Sequence, residues 1–187
     1  MSALLVIVIA VVILVFYLIS AYNRLVRLRN NRENAFADID VQLRQRHDLI
    51  PQLVEAVKGY MKHEKDLLTD VTNARAMAMS AGTINEKIAA EAQLSSALGG
   101  IKVAVEAYPD LKANQNFLNL QEEISDVENK LAAVRRFFNS ATRELNVAVQ
   151  SFPSNIVAGM FGFSKEPMFD LGDSRETMEE PPKVSFN

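Results

Sequence analysis

Twenty consecutive residues without a charge, a proline or a glycine, ALLVIVIAVVILVFYLISAY from Ala3 to Tyr22, constrain this chain more than any other feature. A helix needs about 20 apolar residues to cross a hydrocarbon layer of about 30 Å, and this run meets that length. A cleaved signal peptide would carry a basic leading region, a shorter apolar core and a small-residue cleavage site. Only Met1 and Ser2 precede the run and no such site follows it. Residues 1–22 are therefore expected to form an uncleaved transmembrane anchor, with Tyr17 and Tyr22 toward its far end as interfacial aromatics. Arg24, Arg27, Arg29 and Arg32 follow at once, opposed by Glu33 alone. Positive charge on one flank sets orientation, so the N-terminus is expected outside and residues 23–187 on the cytoplasmic side of an inner membrane. The same four arginines are candidate contacts for anionic headgroups, each worth roughly 1 kcal/mol near the surface.

Past Tyr22 the apolar residues take up helical spacing. Phe36, Ile39, Leu43, Arg46, Ile50, Leu53, Val57 and Tyr60 step by three and four, a heptad-like seam into which Arg46 intrudes. Pro51 removes a helical bond to His47 and is expected to kink or restart the helix, with Asp48 as a candidate N-cap. A second helix is expected from about Asp66 to Met79 and a third from about Ile84 to Ala107, the latter weakened locally by Gly99 and Gly100. SAGT (80–83) separates these two, and YPDLKAN (108–114) reads as the next turn. The fourth helix carries the longest unbroken pattern, from Phe117 through Val127, Phe138 and Leu145 to Phe152, and stops at Pro153. No strand pattern is present. The stretch FPSNIVAGMFGF (152–163) is apolar but broken by Pro153, Gly159 and Gly162, and residues 164–187 are polar and acidic.

The fold expected is all-α: the anchor, an elongated antiparallel four-helix bundle over 23–152, an apolar docking segment over 153–163 and an extended acidic tail over 164–187. The second and third helices, at about 14 and 24 residues, are too short to cover the first and fourth along their length. One part of the rod, near the membrane, is then expected to be mainly a pair, residues near 25–45 against those near 135–152. A pair leaves apolar flanks open for association unless alanines or the tail cover them.

Composition narrows the chemistry. The chain has 187 residues, a formal net charge of -3, no cysteine and two histidines. No basic excess points to nucleic acid, and disulfides, cysteine-bound zinc and thiol catalysis are excluded. The fragment RHDLIP holds a His47-Asp48 pair of the kind metal phosphohydrolases use. His63 lies 16 residues further on, roughly 160° around a helix, so one straight helix cannot present both to one ion. HEKDL (63–67) opens like a zincin helix, but Leu67 stands where the second histidine belongs. A di-iron bundle needs Glu three residues before each His, and those positions are Arg44 and Tyr60. There is no nucleophile elbow, phosphate loop or dinucleotide fingerprint, and ALGGIK (97–102) is read as close helix packing. No catalytic residue, metal or cofactor is expected. Arg46 is read as a snorkelled side chain or a core ion pair with a carboxylate of the fourth helix, or alternatively as a partner contact.

Three blocks, YNRLVRLRNNRENAFADIDVQLRQRHDLIPQLVEAVKGYMKHE, YPDLKANQNFLNLQEEI and FPSNIVAGMFGF, together with the closing PPKVSFN, resemble the LemA family of bacterial membrane proteins. The match runs in order across nearly the whole chain. It implies an N-terminal transmembrane helix and an elongated helical bundle, in a family with a magnetosome-associated branch and no established enzymatic activity. His47 departs from the aromatic or polar residues usual at its place. The functional expectation is a non-enzymatic, membrane-anchored scaffold that associates with membrane lipids and with itself. The alternative is an adaptor that presents its helices or tail to another membrane protein, such as a protease or sensor. An even number of alternating helices returns Pro153 toward the bilayer. Ile156, Met160, Phe161 and Phe163 are therefore expected at the lipid interface or against a neighbouring subunit, near the four arginines; the alternative is a satellite core on their own bundle.

Overall fold

A computed structural model describes residues 2–170. All regular structure among the described residues is helical: α1 (Ser2–Lys58), α2 (Lys65–Ser80), α3 (Ile84–Val105), α4 (Pro109–Lys112), α5 (Gln115–Gln150) and α6 (Ser154–Met160). The four long helices fall where hydrophobic spacing puts them. Two short ones correct the sequence reading. The YPDLKAN turn contains α4, opened by Pro109 at its first position, where a missing N–H costs nothing. Residues 154–160, expected to be irregular, form α6. Of the tail, 164–170 has no regular structure and 171–187 lies outside the described residues.

The chain divides into two compact units, one combining α1 up to Ile39 with Val134–Met168, the other built on Asp40–Ala133. In the second, Ile50, Leu53 and Val57 of α1 share a core with Leu68 and Val71 of α2, Leu94, Ile101 and Val105 of α3, and Leu111, Phe117 and Leu120 further on. Each such side chain contributes about 1.5–3 kcal/mol when fully buried. The start of α3 is set by a capping box. Thr83 accepts a bond from the Glu86 amide at 3.2 Å, and the Glu86 carboxylate accepts from the Thr83 amide at 2.9 Å. Of the two glycines in α3, Gly100 is the close approach: a Cβ there would lie 2.7 Å from Leu67 Cδ1, whereas one on Gly99 would meet nothing within 4 Å.

In the first unit, Phe36 of α1 meets Phe138 of α5 edge-on at 5.5 Å, and Leu25, Ile39 and Leu145 are buried. The chain beyond α6 is tied to both helices. The Asn146 amide donates to the Glu166 carbonyl and accepts from the Glu166 amide, each at 2.8 Å. Arg32 reaches the Glu166 carboxylate at 3.5 Å and stacks 4.9 Å above the Phe138 ring. An extended segment, which has no helical partners for its backbone, thereby gains two bonds from one buried side chain.

Helix α1 does not restart at Pro51; it is continuous to Lys58. Proline leaves the carbonyl four residues earlier without its donor. That carbonyl belongs to His47, and it accepts a bond from Arg75 Nε of α2 at 2.7 Å. A side chain from a neighbouring helix replaces the missing backbone donor. Replacing Arg75 by Met should therefore cost about 1.5–3 kcal/mol, the range for a hydrogen bond from a charged group. In a Pro51→Ala background the same substitution should cost much less, because an alanine at that position restores the N–H. Urea unfolding of the four proteins in mild detergent checks this; equal costs in both backgrounds would contradict it.

Candidate functional site

Two places concentrate side chains that packing alone does not require. The first lies in the unit that contains the apolar N-terminal run. Helix α5 ends at Gln150, and Pro153, which has no N–H, stands at the N-cap of α6. Ser154 Oγ donates toward the carbonyls of Ala148, in the last turn of α5, at 2.6 Å and of Ser151, just past it, at 2.9 Å. The exit from α6 is a left-handed cap: Gly162 has φ +72°, and the Phe163 amide reaches back to the Ala158 carbonyl at 2.9 Å. This reversal drops Phe163 onto a cluster formed by Ala21 and Leu25 of α1, Ala148 of α5, and Val157 and Ala158 of α6, with Leu18 and Leu28 at its margin. Tyr22 packs against the Phe161 ring at 4.7 Å and the Phe163 ring at 6.1 Å, and Arg29 lies 5.4 Å from the Phe163 centroid.

The residues singled out by sequence divide between two roles here. Phe163 is half-buried and Phe161 rests on Tyr22, but Ile156, Met160 and Phe161 keep 54%, 68% and 56% of their surface exposed. The inward positions are Val157 and Ala158, which the sequence reading passed over. The inward side of the segment packs on α1 and α5 of its own chain, a small satellite cluster of the kind the alternative reading expected. Arg24, Arg27 and Arg29 are exposed, while Arg32 is buried. Burial pushes the Arg32 guanidinium down from its ordinary value, and Glu166 and Glu33 hold it up; it remains charged. With its head group turned to Glu166, the Pro167 carbonyl and Phe138, Arg32 acts inside the fold.

The second place is a buried ion cluster in the other unit. Arg46 Nη1 donates to Glu91 Oε2 at 3.1 Å and to Ser95 Oγ at 3.0 Å, and Arg46 Nη2 meets Glu128 at 3.4 Å. His47 Nε2 lies 2.5 Å from the other Glu91 oxygen. Glu91 is 1% exposed and Arg46 3%. One buried carboxylate thus holds two side chains of α1, and Glu128 of α5 adds a half-exposed counter-charge.

A cleft of about 420 Å³ opens on the Arg46 and Ser95 side, walled by Leu98, Gly99 and Ile101 of α3 and Phe117, Leu118 and Ile124 of α5. Another of about 410 Å³ opens on the His47 side, beside Asp40, Arg44, Asp48 and Lys87. Among the described residues no three His, Asp or Glu side chains are placed to hold a metal ion. The arrangement neutralises charge and locks α1 to α3 and α5; the partner of Ser95 is the arginine, not a base. Glu91 and Ser95 escaped the sequence reading, although both sit on the α3 seam with Ile88, Leu94 and Leu98. Polar residues at seam positions were the available signal, as Arg46 was on α1.

The profile of the LemA family matches residues 35–186. Protein LemA of Metamycoplasma hominis is 26% identical over 144 residues, which is 76% of this chain and 66% of that protein. The chain therefore spans just under two thirds of that relative's length. Magnetosome protein MamQ of Magnetospirillum gryphiswaldense is 20% identical, covering 95% of this chain and 75% of that protein. Magnetosome protein MamQ 2 of Paramagnetospirillum magneticum is 21% identical, covering 91% and 72%.

Two measurements test the ion cluster and its rim. Glu91→Leu strands Arg46 and His47 in the core and should destabilise the protein by about 3 kcal/mol, whereas Arg46→Met with Glu91→Leu should recover most of that loss. Chemical denaturation of the single and double variants checks the sign; a double variant as unstable as the single one would contradict it. At the rim, burial pushes the Asp40 carboxyl up, but bonds from Lys87 and Arg44 outweigh it and hold the group below its ordinary value. Its stabilising effect should be complete above the unfolded carboxylate range and vanish as pH falls through the lowered folded value. Asp40→Asn should flatten stability against pH in that acidic window and leave the slope near neutrality unchanged.

Proposed function

The chain belongs to the LemA family, and we propose that it is a membrane-anchored helical scaffold, without enzymatic activity, that self-associates to organise a patch of bacterial inner membrane. The carrying observation is that α1 is long and apolar enough to cross a membrane at its N-terminal end and continues as the same helix to Lys58. Its apolar run presents Leu4 through Val15 outward, and residues from Leu25 onward enter protein cores. A single stiff element joining the two suits a protein whose task is to hold a helical body at the bilayer. The name that two relatives carry refers to a cellular body and not to a reaction, which accords with an organising role.

Self-association is supported by Phe137 and Val147 of α5, which keep 63% and 56% of their surface exposed. Phe137 also walls a shallow cleft of about 370 Å³ with Asn31, Asp38 and Glu144. Exposed aromatic surface of this kind marks association more often than chance. The second reading, an adaptor for another membrane protein, draws support from the cleft between α3 and α5 in the other unit, where the exposed Leu118 and the buried Arg46 both line the wall.

Imaging the full-length protein in mild detergent separates the two readings. Rings or lattices that Phe137→Ser with Val147→Ser disperses are expected for the scaffold; monodisperse monomers would overturn it. Orientation is tested on the same chain, which lacks cysteine. Single cysteines at Ser2 and Ser185 should react in whole cells with an impermeant reagent at position 2 only.

A further inference from the structure

Helix α6 has two faces, and only one is explained by the packing already described. Val157 and Ala158 turn inward, 1% exposed each, while Ile156 and Met160, four residues apart, face outward at 54% and 68% exposure, and Phe152, just before the Pro153 cap, is 81% exposed. Phe161 continues this apolar surface at the helix end. The inner face also fixes the height of the outer one. It packs on Ala21 and Leu25 with Leu18 at the margin, and Leu18 is four residues inside the uncharged run that ends at Tyr22. Whatever surrounds the last turn of that run therefore surrounds α6. The exposed Arg24 and Arg27 mark the same level from the polar side.

We propose that α6 is a second membrane contact, seated in the lipid interface of the bilayer that holds the anchor, with Phe152, Ile156, Met160 and Phe161 turned into the acyl boundary. Short apolar elements are tolerated at that depth when their backbone groups are satisfied internally. Several of those at the ends of α6 are: the Asn155 amide bonds the Ser151 carbonyl at 2.8 Å, Phe161 bonds Val157 at 3.1 Å and Phe163 bonds Ala158 at 2.9 Å. Pro153 has no N–H to satisfy. The protein then touches the membrane at the first helix and again at the end of the fifth, which fixes the rotation of the pair about the anchor as well as its attachment. Bilayer lipid is favoured over a second chain as the occupant because the apolar surface is continuous, through Tyr22 and Phe161, with the run proposed to cross the bilayer. The inference rests on that anchoring.

The chain contains no tryptophan, so single substitutions report cleanly. Full-length Leu14→Trp, Ile156→Trp, Met160→Trp and Phe137→Trp are each reconstituted in phosphatidylcholine–phosphatidylglycerol vesicles, with and without acyl-chain bromination of the phosphatidylcholine. The first three should lose on the order of half their emission to the brominated lipid, as expected for side chains within about 5–10 Å of the headgroup boundary or deeper. Phe137→Trp, about 20 Å further along α5 from its end, should lose little. Quenching at position 14 but at neither 156 nor 160 overturns the lipid seat of α6 and leaves the anchor standing. Blue-shifted, unquenched emission at 156 and 160 would mean that protein covers the face, and red-shifted emission that water does; either result overturns the proposal. Absence of quenching at position 14 removes the anchor and this inference together. Two reporters on α6, each checked for native helical content, guard against a locally misfolded variant.

Discussion

The apolar stripe of α1 has to be covered over its whole length, and the position of every other helix follows from that need. A helix of 57 residues has no way to bury its own side chains. From Leu4 to Phe16 it is apolar on all sides and exposed, which suits a lipid surrounding. From Leu25 to Ile39 the stripe narrows, and the end of α5 with α6 is enough to cover it. From Ile50 to Val57 it takes the combined surfaces of α2, α3 and the start of α5. The width of the stripe at each level thus matches the number of elements brought to it.

Polar groups are handled with the same economy. Two features of α1 are costly in a helix facing a core: the proline at position 51 and the charge at position 46. Neither is solved within α1. The carbonyl orphaned by Pro51 is met by Arg75 from α2, and the guanidinium of Arg46 by Glu91 and Ser95 from α3. An unpaired polar group in that setting would cost more than most single apolar contacts contribute. These cross-helix bonds therefore hold one register of α1 against α2 and α3, because sliding by one turn would break several at once.

The segment after α5 shows how a broken apolar sequence becomes an ordered one. Pro153 enters without an amide to satisfy, Gly162 supplies the left-handed turn, and the residues between them have the length for two turns of helix. The punctuation that made FPSNIVAGMFGF look irregular is what caps it at both ends. Asn146 then does for residues 164–168 what a neighbouring strand would, giving the extended backbone both a donor and an acceptor.

The placement of the four long helices was legible from spacing alone, apart from the break expected at Pro51, because a side chain's face on a helix is set by its own position in the chain. The apolar run, the arginines after it and the lack of cysteine were equally plain, since they depend on composition and order. Glu91, Ser95 and Asn146 were not legible as partners. A polar residue on an apolar seam announces that it needs a bond but not which residue 20 to 49 positions away will supply it. Nor did sequence separate Arg32 from Arg24, Arg27 and Arg29; the distinction came from Glu166 and Phe138 being folded back onto it. Local patterning decides which residues must be covered, and long-range contacts, among them the return of the chain after Pro153, decide what covers them.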